Sequence, residues 1–263
     1  MNFLIITKKR IILISSLIFT ACISILIGVN LTKSITNTNK KLPIYSVKKE
    51  EKLVSISFDA AWGNEHTPKI LEVLKDFNIK ATFFLVGDWV KKYPEDVKNI
   101  NAQGHDVENH SNTHPNMTKI SAEEMATQIQ QCNSKIKEIT GKEPTLFRPP
   151  FGAYNNELIE FLNNKKMHCI QWSIDSLDWK DRSATEMSRK ITSKIKPGSI
   201  ILFHNGGKHT VEAIKLIIPK IHEQGFKIVQ ISQLIIKENY KILHDGTQVP
   251  ETKDSTQSPG VKE

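Results

Sequence analysis

Five side chains with chemical potential stand where apolar runs stop: a carboxylate at Asp59, imidazoles at His110, His114 and His204, and a guanidinium at Arg148. Such a set suits hydrolysis. A carboxylate takes a proton from water, a histidine titrating near neutrality gives one to a leaving group, and an arginine keeps a neighbouring carboxylate ionised. Two imidazoles four residues apart can grip one divalent cation, and neutral nitrogen donors suit zinc, cobalt or nickel. Pro115, directly after that pair, favours a fixed turn over a regular helix.

Asp59 ends the run Val54–Phe58 just before Ala60-Ala61-Trp62-Gly63. Alone, a strand-end aspartate caps a turn more often than it does chemistry. Arg148-Pro149-Pro150-Phe151-Gly152 sets the arginine beside a stiff proline pair and a glycine turn, where backbone N–H groups can face a ligand. Asp178, in Asp175-Ser-Leu-Asp178-Trp179, is the carboxylate expected to orient His204 and raise its pKa. Trp179 and Leu202 read either as core or as walls of a small apolar pocket.

Delivering these groups to one place requires strands. From Leu53 onward apolar runs predict strands over residues 53–58, 81–86, 105–109, 145–148, 168–173, 199–204 and 226–231. Helical patterns fall between them at 67–77, 94–103, 121–140, 156–166, 185–196 and 211–224. Ser121 and Glu124 predict a capping box for the longest helix, and Gly141 ends it. Seven strands alternating with helices predict an α/β fold: a parallel sheet closed, or nearly closed, into a barrel, with active residues at the carboxyl ends of its strands.

Residues Ile11 to Leu31 carry no charge and follow Lys8-Lys9-Arg10. They read as a transmembrane signal anchor, with residues 1–10 in the cytoplasm and the rest outside. A cleaved signal peptide, giving a secreted form, is the competing reading. Residues 32–50 read as a linker, 51–243 as the catalytic domain and 244–263 as a disordered tail. The net charge of +8 suits a lysine-rich, solvated exterior, and no interleaving of basic and aromatic residues marks a nucleic-acid site. Cys22, Cys132 and Cys169 form neither a disulfide framework nor a thiolate metal site.

In this order and at these strand ends, the clusters resemble the polysaccharide deacetylases that share the NodB-homology domain, carbohydrate esterase family 4. The resemblance runs from about Lys52 to Ile236. Phe58-Asp-Ala-Ala-Trp-Gly-Asn64, Arg148-Pro-Pro-Phe-Gly-Ala-Tyr154 and Asp175-Ser-Leu-Asp-Trp179 are most similar to the sporulation branch in endospore formers. It implies metal-dependent removal of acetyl groups from an N-acetylated cell-wall glycan, on a distorted barrel of fewer than eight strands. The sugar would be the N-acetylglucosamine or N-acetylmuramic acid of peptidoglycan, and the setting spore formation.

By the same resemblance, Asp59 is the general base, positioned by Arg148, while His110 and His114 are metal ligands. The Phe151 backbone N–H faces the oxyanion, Asp178 tunes His204, and His204 protonates the leaving amine. Trp179 and Leu202 enclose the acetyl methyl. One position departs: where the family has a second, metal-binding aspartate, this chain has Ala60. Losing an anionic ligand weakens metal binding, with Glu65 and His66 the nearest groups that could substitute. The alternative expectation is therefore a catalytically impaired, glycan-binding protein on the same fold.

Overall fold

The computed structural model describes residues 40–251. Strands β1 (Ser46–Val47), β2 (Leu53–Ala60) and β3 (Thr82–Leu85) are followed by β4 (Asp106–Asn109), β5 (Leu146–Phe147) and β6 (His168–Cys169). Then come β7 (Ile174–Asp175), β8 (Ile200–His204), β9 (Lys227–Ile228), β10 (Tyr240–Ile242) and β11 (Thr247–Pro250). The main helices are α1 (Thr67–Asp76), α2 (Gly87–Lys92), α3 (Pro94–Ala102) and α4 (Ala122–Thr140). They continue with α5 (Asn156–Asn164), α6 (Ala184–Lys194), α7 (Thr210–Glu223) and the short α8 (Ile231–Leu234).

Alternation along the strands decides the layering. Phe58 of β2, Phe83 of β3 and Phe203 of β8 belong to one apolar cluster, with Phe58 stacked on the other two at 5.0 and 5.8 Å between ring centroids. Ile70 and Leu74 of α1 and Ile214, Ile217 and Ile221 of α7 join that cluster. Their neighbours in sequence point the other way, because successive side chains leave opposite faces of a strand. Phe84 and Ile200 thus enter a second cluster with Leu146, Ile231 and Leu234.

The strands pair in the order β6-β5-β4-β3-β2-β8-β7, every pair parallel, and β9 joins the start of β2. No pairing joins β6 to β7, so the barrel is open between them. The seven expected strands all enter this parallel sheet with the six expected helices between them, while β7, which follows β6 with no helix between, and the short helices α2 and α8 were not revealed by the sequence pattern.

Both ends of the domain need correction. Ile44 and Val47, inside the expected linker, are each 1% exposed. Ile44 bridges to Ile170 at the β6 edge, and Ser46 bridges to Ser199. Gly198, at φ +80°, is required there: an added Cβ would overlap the Val47 carbonyl. The expected tail likewise contributes β11, which pairs with β1 and β10 in a small three-stranded sheet. Buried apolar contacts and ladder hydrogen bonds order these segments despite a polar composition that lacks any period. The expected membrane segment, Ile11 to Leu31, lies outside the described residues, as do residues 252–263.

Candidate active site

The carboxyl ends of β2, β4, β5, β7 and β8 open onto one cleft of about 820 Å³. Asp59, His110, His114, Phe151, Trp179, Leu202 and His204 all line it, so the scattered motifs converge. Arg148 and Asp178 stand directly behind, 0% and 1% exposed.

Arg148 Nη1 donates to Asp59 Oδ1 at 2.7 Å, and Nη2 donates to the Gln171 carbonyl at 3.2 Å. The guanidinium lies over the Phe84 ring at 4.1 Å, and its Nε has no partner. Burial opposes charge on Asp59, yet Arg148 and the nearby imidazoles outweigh it and hold the carboxyl below its usual range.

His110 Nδ1 donates to the Arg148 carbonyl at 2.7 Å, which turns Nε2 to within 3.5 Å of Asp59 Oδ2. Burial lowers the His110 pKa against the pull of Asp59, and burial with the adjacent His110 depresses His114 to about 4. The two rings stand 5.0 Å apart. They sit on a turn, as Pro115 suggests, with Ser111 and His114 at φ 69° and 62°. Helix α4 fixes that turn: Gln128 Oε1 accepts the N–H groups of both Asn112 and Thr113. Asn109, at the end of β4, accepts from the Ser111 N–H and donates to the Ile129 carbonyl.

On the opposite wall, His204 Nδ1 donates to Asp178 Oδ1 at 2.8 Å. Asp178 Oδ2 accepts from the His204 N–H and from the Thr210 hydroxyl, each at 2.7 Å. Burial lowers the His204 pKa, but Asp178 more than compensates, so the ring titrates above its ordinary value. Gly207 is needed beside this carboxylate, since a Cβ there would press on Thr210 Oγ1 and Asp178 Oδ2. Phe151 and Gly152 take φ values of 60° and 65° in succession, which presents the Phe151 ring at the surface. Leu202 is buried, and Trp179 is exposed at the mouth.

Sequence reasoning missed Trp62, Trp172, Asp175 and Asn205 as lining residues, and Thr210 as a partner of Asp178. Thr210 left no local signal, because the contact spans 32 residues of sequence. Trp62 did leave one: an aromatic residue beside a glycine at the end of a strand.

An open parallel α/β barrel with an ionised acid and an elevated histidine at its strand ends is the architecture of a hydrolase working on a substrate laid in a groove. The family model for polysaccharide deacetylases matches residues 46–170. A peptidoglycan-N-acetylglucosamine deacetylase of Bacillus cereus is 35% identical over 69% of this chain and 67% of its own length. The peptidoglycan-N-acetylmuramic acid deacetylase PdaC of Bacillus subtilis is also 35% identical, over 74% of this chain and 42% of that protein. Among solved structures, a family 4 carbohydrate esterase pseudoenzyme from Bacillus anthracis is similar, with a TM-score of 0.72 and 38% identity over 74% of this chain and 69% of that one. A mutant of that pseudoenzyme has restored enzymatic activity. This chain belongs to the polysaccharide deacetylase family. It spans about two thirds or less of the length of the two curated Bacillus relatives.

The metal expected from the resemblance can be tested against the donors present. Catalytic zinc centres take three protein ligands and leave one position open. Among the described residues, no group of three His, Cys, Asp or Glu side chains is placed to hold an ion. Ala60 is 1% exposed and belongs to the apolar cluster between sheet and helices. Glu65 lines the cleft without completing a set, and His66 stands at the N-terminus of α1. The residues present do not fit a three-ligand centre.

Proposed function

We propose that this chain removes N-acetyl groups from an N-acetylated cell-wall glycan of the peptidoglycan class, outside the cytoplasmic membrane. The observation that carries the reading is the pair of acid–base couples, Asp59 with Arg148 and His204 with Asp178, facing one cleft from adjacent strands. Asp59, kept ionised, takes a proton from water as the water oxygen adds to the acetyl carbonyl carbon. His204, biased toward its protonated form, gives a proton to nitrogen as the C–N bond breaks, leaving acetate and a free amine. The Phe151 N–H is assigned to the developing oxyanion, and Trp179 and Leu202 to the acetyl methyl. His110 and His114 provide two neutral nitrogen donors of the kind zinc, cobalt or nickel accepts. The anchor at residues 11–31 and a role in spore formation belong to the same proposal.

A second reading rests on Ala60: a glycan-binding protein on the deacetylase frame, with hydrolysis lost along with the carboxylate. The similarity to a protein described as a pseudoenzyme favours keeping it. Acetate release from N-acetylated peptidoglycan, with zinc or cobalt added, separates the two. Release well above that of Asp59→Asn and His204→Ala supports hydrolysis. Glycan binding with release at the level of those variants supports the second reading.

A further inference from the structure

Three carboxylates line the cleft: Asp59, Glu65 and Asp175. Asp59 is balanced by Arg148 behind it, and Asp178 is balanced by His204. Glu65 and Asp175 form no ion pair among the described residues. No lysine or arginine lines the cleft. Lys180, next to the lining residue Trp179, holds its ammonium 4.7 Å over that ring. Lys190 acts on Asp175 from α6 without reaching the lining.

The cleft also gathers apolar rings. Trp62, Phe151 and Trp179 are the exposed aromatic residues of the described chain, 57% to 70% accessible, and all three line this cleft. Trp62 and Phe151 both pack edge-on against the His114 ring, at 4.9 and 4.7 Å between centroids. The loop under Trp62 is pinned, because the Gly63 carbonyl accepts from Trp89 Nε1 at 2.6 Å and from Asn205 Nδ2 at 2.9 Å. An exposed ring on a fixed backbone is a preorganised stacking surface for the C–H face of a sugar.

We propose that the cleft selects neutral N-acetylglucosamine residues and rejects N-acetylmuramic acid, whose lactyl carboxylate would bring a further negative charge into a cleft already lined by Glu65 and Asp175. The inference rests on the reading that the cleft takes an N-acetylated wall sugar, and it chooses between the two sugars that reading leaves open. Specificity here comes from a repulsive element, since the cations of this cleft, Arg148 and protonated His204, are already paired with Asp59 and Asp178, while Glu65 and Asp175 have no ion-pair partner among the described residues.

The test is calorimetric binding by the full chain. One ligand is a tetramer of N-acetylglucosamine. The second is a peptide-free tetramer alternating N-acetylglucosamine with N-acetylmuramic acid, and the third is its lactyl methyl ester. The homopolymer is expected to bind on the order of tenfold more tightly than the alternating tetramer. Esterification, added salt and the pair Glu65→Gln/Asp175→Asn should each narrow that ratio, while Trp62→Ala should weaken all three ligands. Equal or tighter binding of the free-acid tetramer, or an ester that binds no better than the acid, overturns the charge argument and leaves the deacetylase reading standing. No binding to any ligand, together with no acetate release, overturns both.

Discussion

Asp59 and His204 are register partners on the neighbouring parallel strands β2 and β8. Paired residues of adjacent strands project from the same face of a sheet, so proton acceptor and proton donor share a cleft by virtue of strand pairing alone. Each then acquires its charge state from a different buried partner. Arg148 comes from the end of β5, and Asp178 from the turn after β7.

That division of labour predicts a pH signature for Asp178→Asn. Asp178 is what raises the His204 pKa against burial, so its removal lowers that pKa. Activity that needs protonated His204 is lost as pH rises through this pKa. The alkaline limb of kcat/KM should therefore move to lower pH, with turnover near neutrality falling on the order of 10²–10⁴-fold. An unchanged limb would show that His204 is not the group being titrated. Thr210→Val, which removes one hydrogen bond from the same carboxylate, should move the limb in the same direction by less.

The Asp59–Arg148 pair predicts a stability effect separable from catalysis. Arg148 is fully buried, so Asp59→Asn strands a guanidinium with no countercharge. Urea unfolding should record a loss of about 3–5 kcal/mol, the usual result of breaking a buried ion pair by removing one partner. Adding Arg148→Met to Asp59→Asn should recover part of that loss. A double variant less stable than the single one would mean that Arg148 is held mainly by the Gln171 carbonyl and the aromatic rings.

The strands that carry the site were legible because their apolar runs end abruptly at polar residues, as at Phe58-Asp59 and Phe203-His204. The packing that fixes them was not legible. Gln128 clamps the His110–His114 turn from a helix, and Thr210 reaches Asp178 from α7, contacts that no local pattern encodes. The two-residue strands β1 and β7 lie outside the apolar runs that revealed the equally short β5, β6 and β9, and β11 lies in a stretch rich in Thr, Pro and charge. The capping boxes show the same limit. Ser121 accepts the Glu124 N–H as expected, but the reciprocal box forms at Ser183 and Glu186 on α6.

Ala60→Asp should separate folding from metal. The new carboxylate enters a position that is 1% exposed within an apolar cluster, so the metal-free variant should melt below wild type. Zinc should raise its melting temperature more than that of wild type, because an ion bound only by the native state stabilises it. Bound metal, counted by mass spectrometry, should approach one per chain. Acetate release should rise by at least about 10–100-fold, the range seen when groups supporting a metal are restored or lost. Near-stoichiometric metal in the unmodified chain would instead show that another donor already completes the centre.

Glu108 offers a test of the barrel that leaves the cleft untouched. Its Oε2 accepts the N–H groups of Thr145 and Leu146 at the entry to β5. Burial, aided by the neighbouring Asp106, raises its pKa from 4.5 to about 8 against those two hydrogen bonds. The folded chain therefore keeps a proton that the unfolded chain releases. This group's contribution to stability is complete below pH 4.5, declines as pH rises toward 8 and is flat above. Glu108→Gln preserves the neutral form and an oxygen acceptor. It should be close to neutral at pH 4.5 and stabilise the protein by about 1–3 kcal/mol at pH 8, read from urea midpoints at matched ionic strength. If the variant is instead less stable than wild type at pH 8, the carboxylate is ionised in the fold and its hydrogen bonds to β5 outweigh the cost of burying the charge.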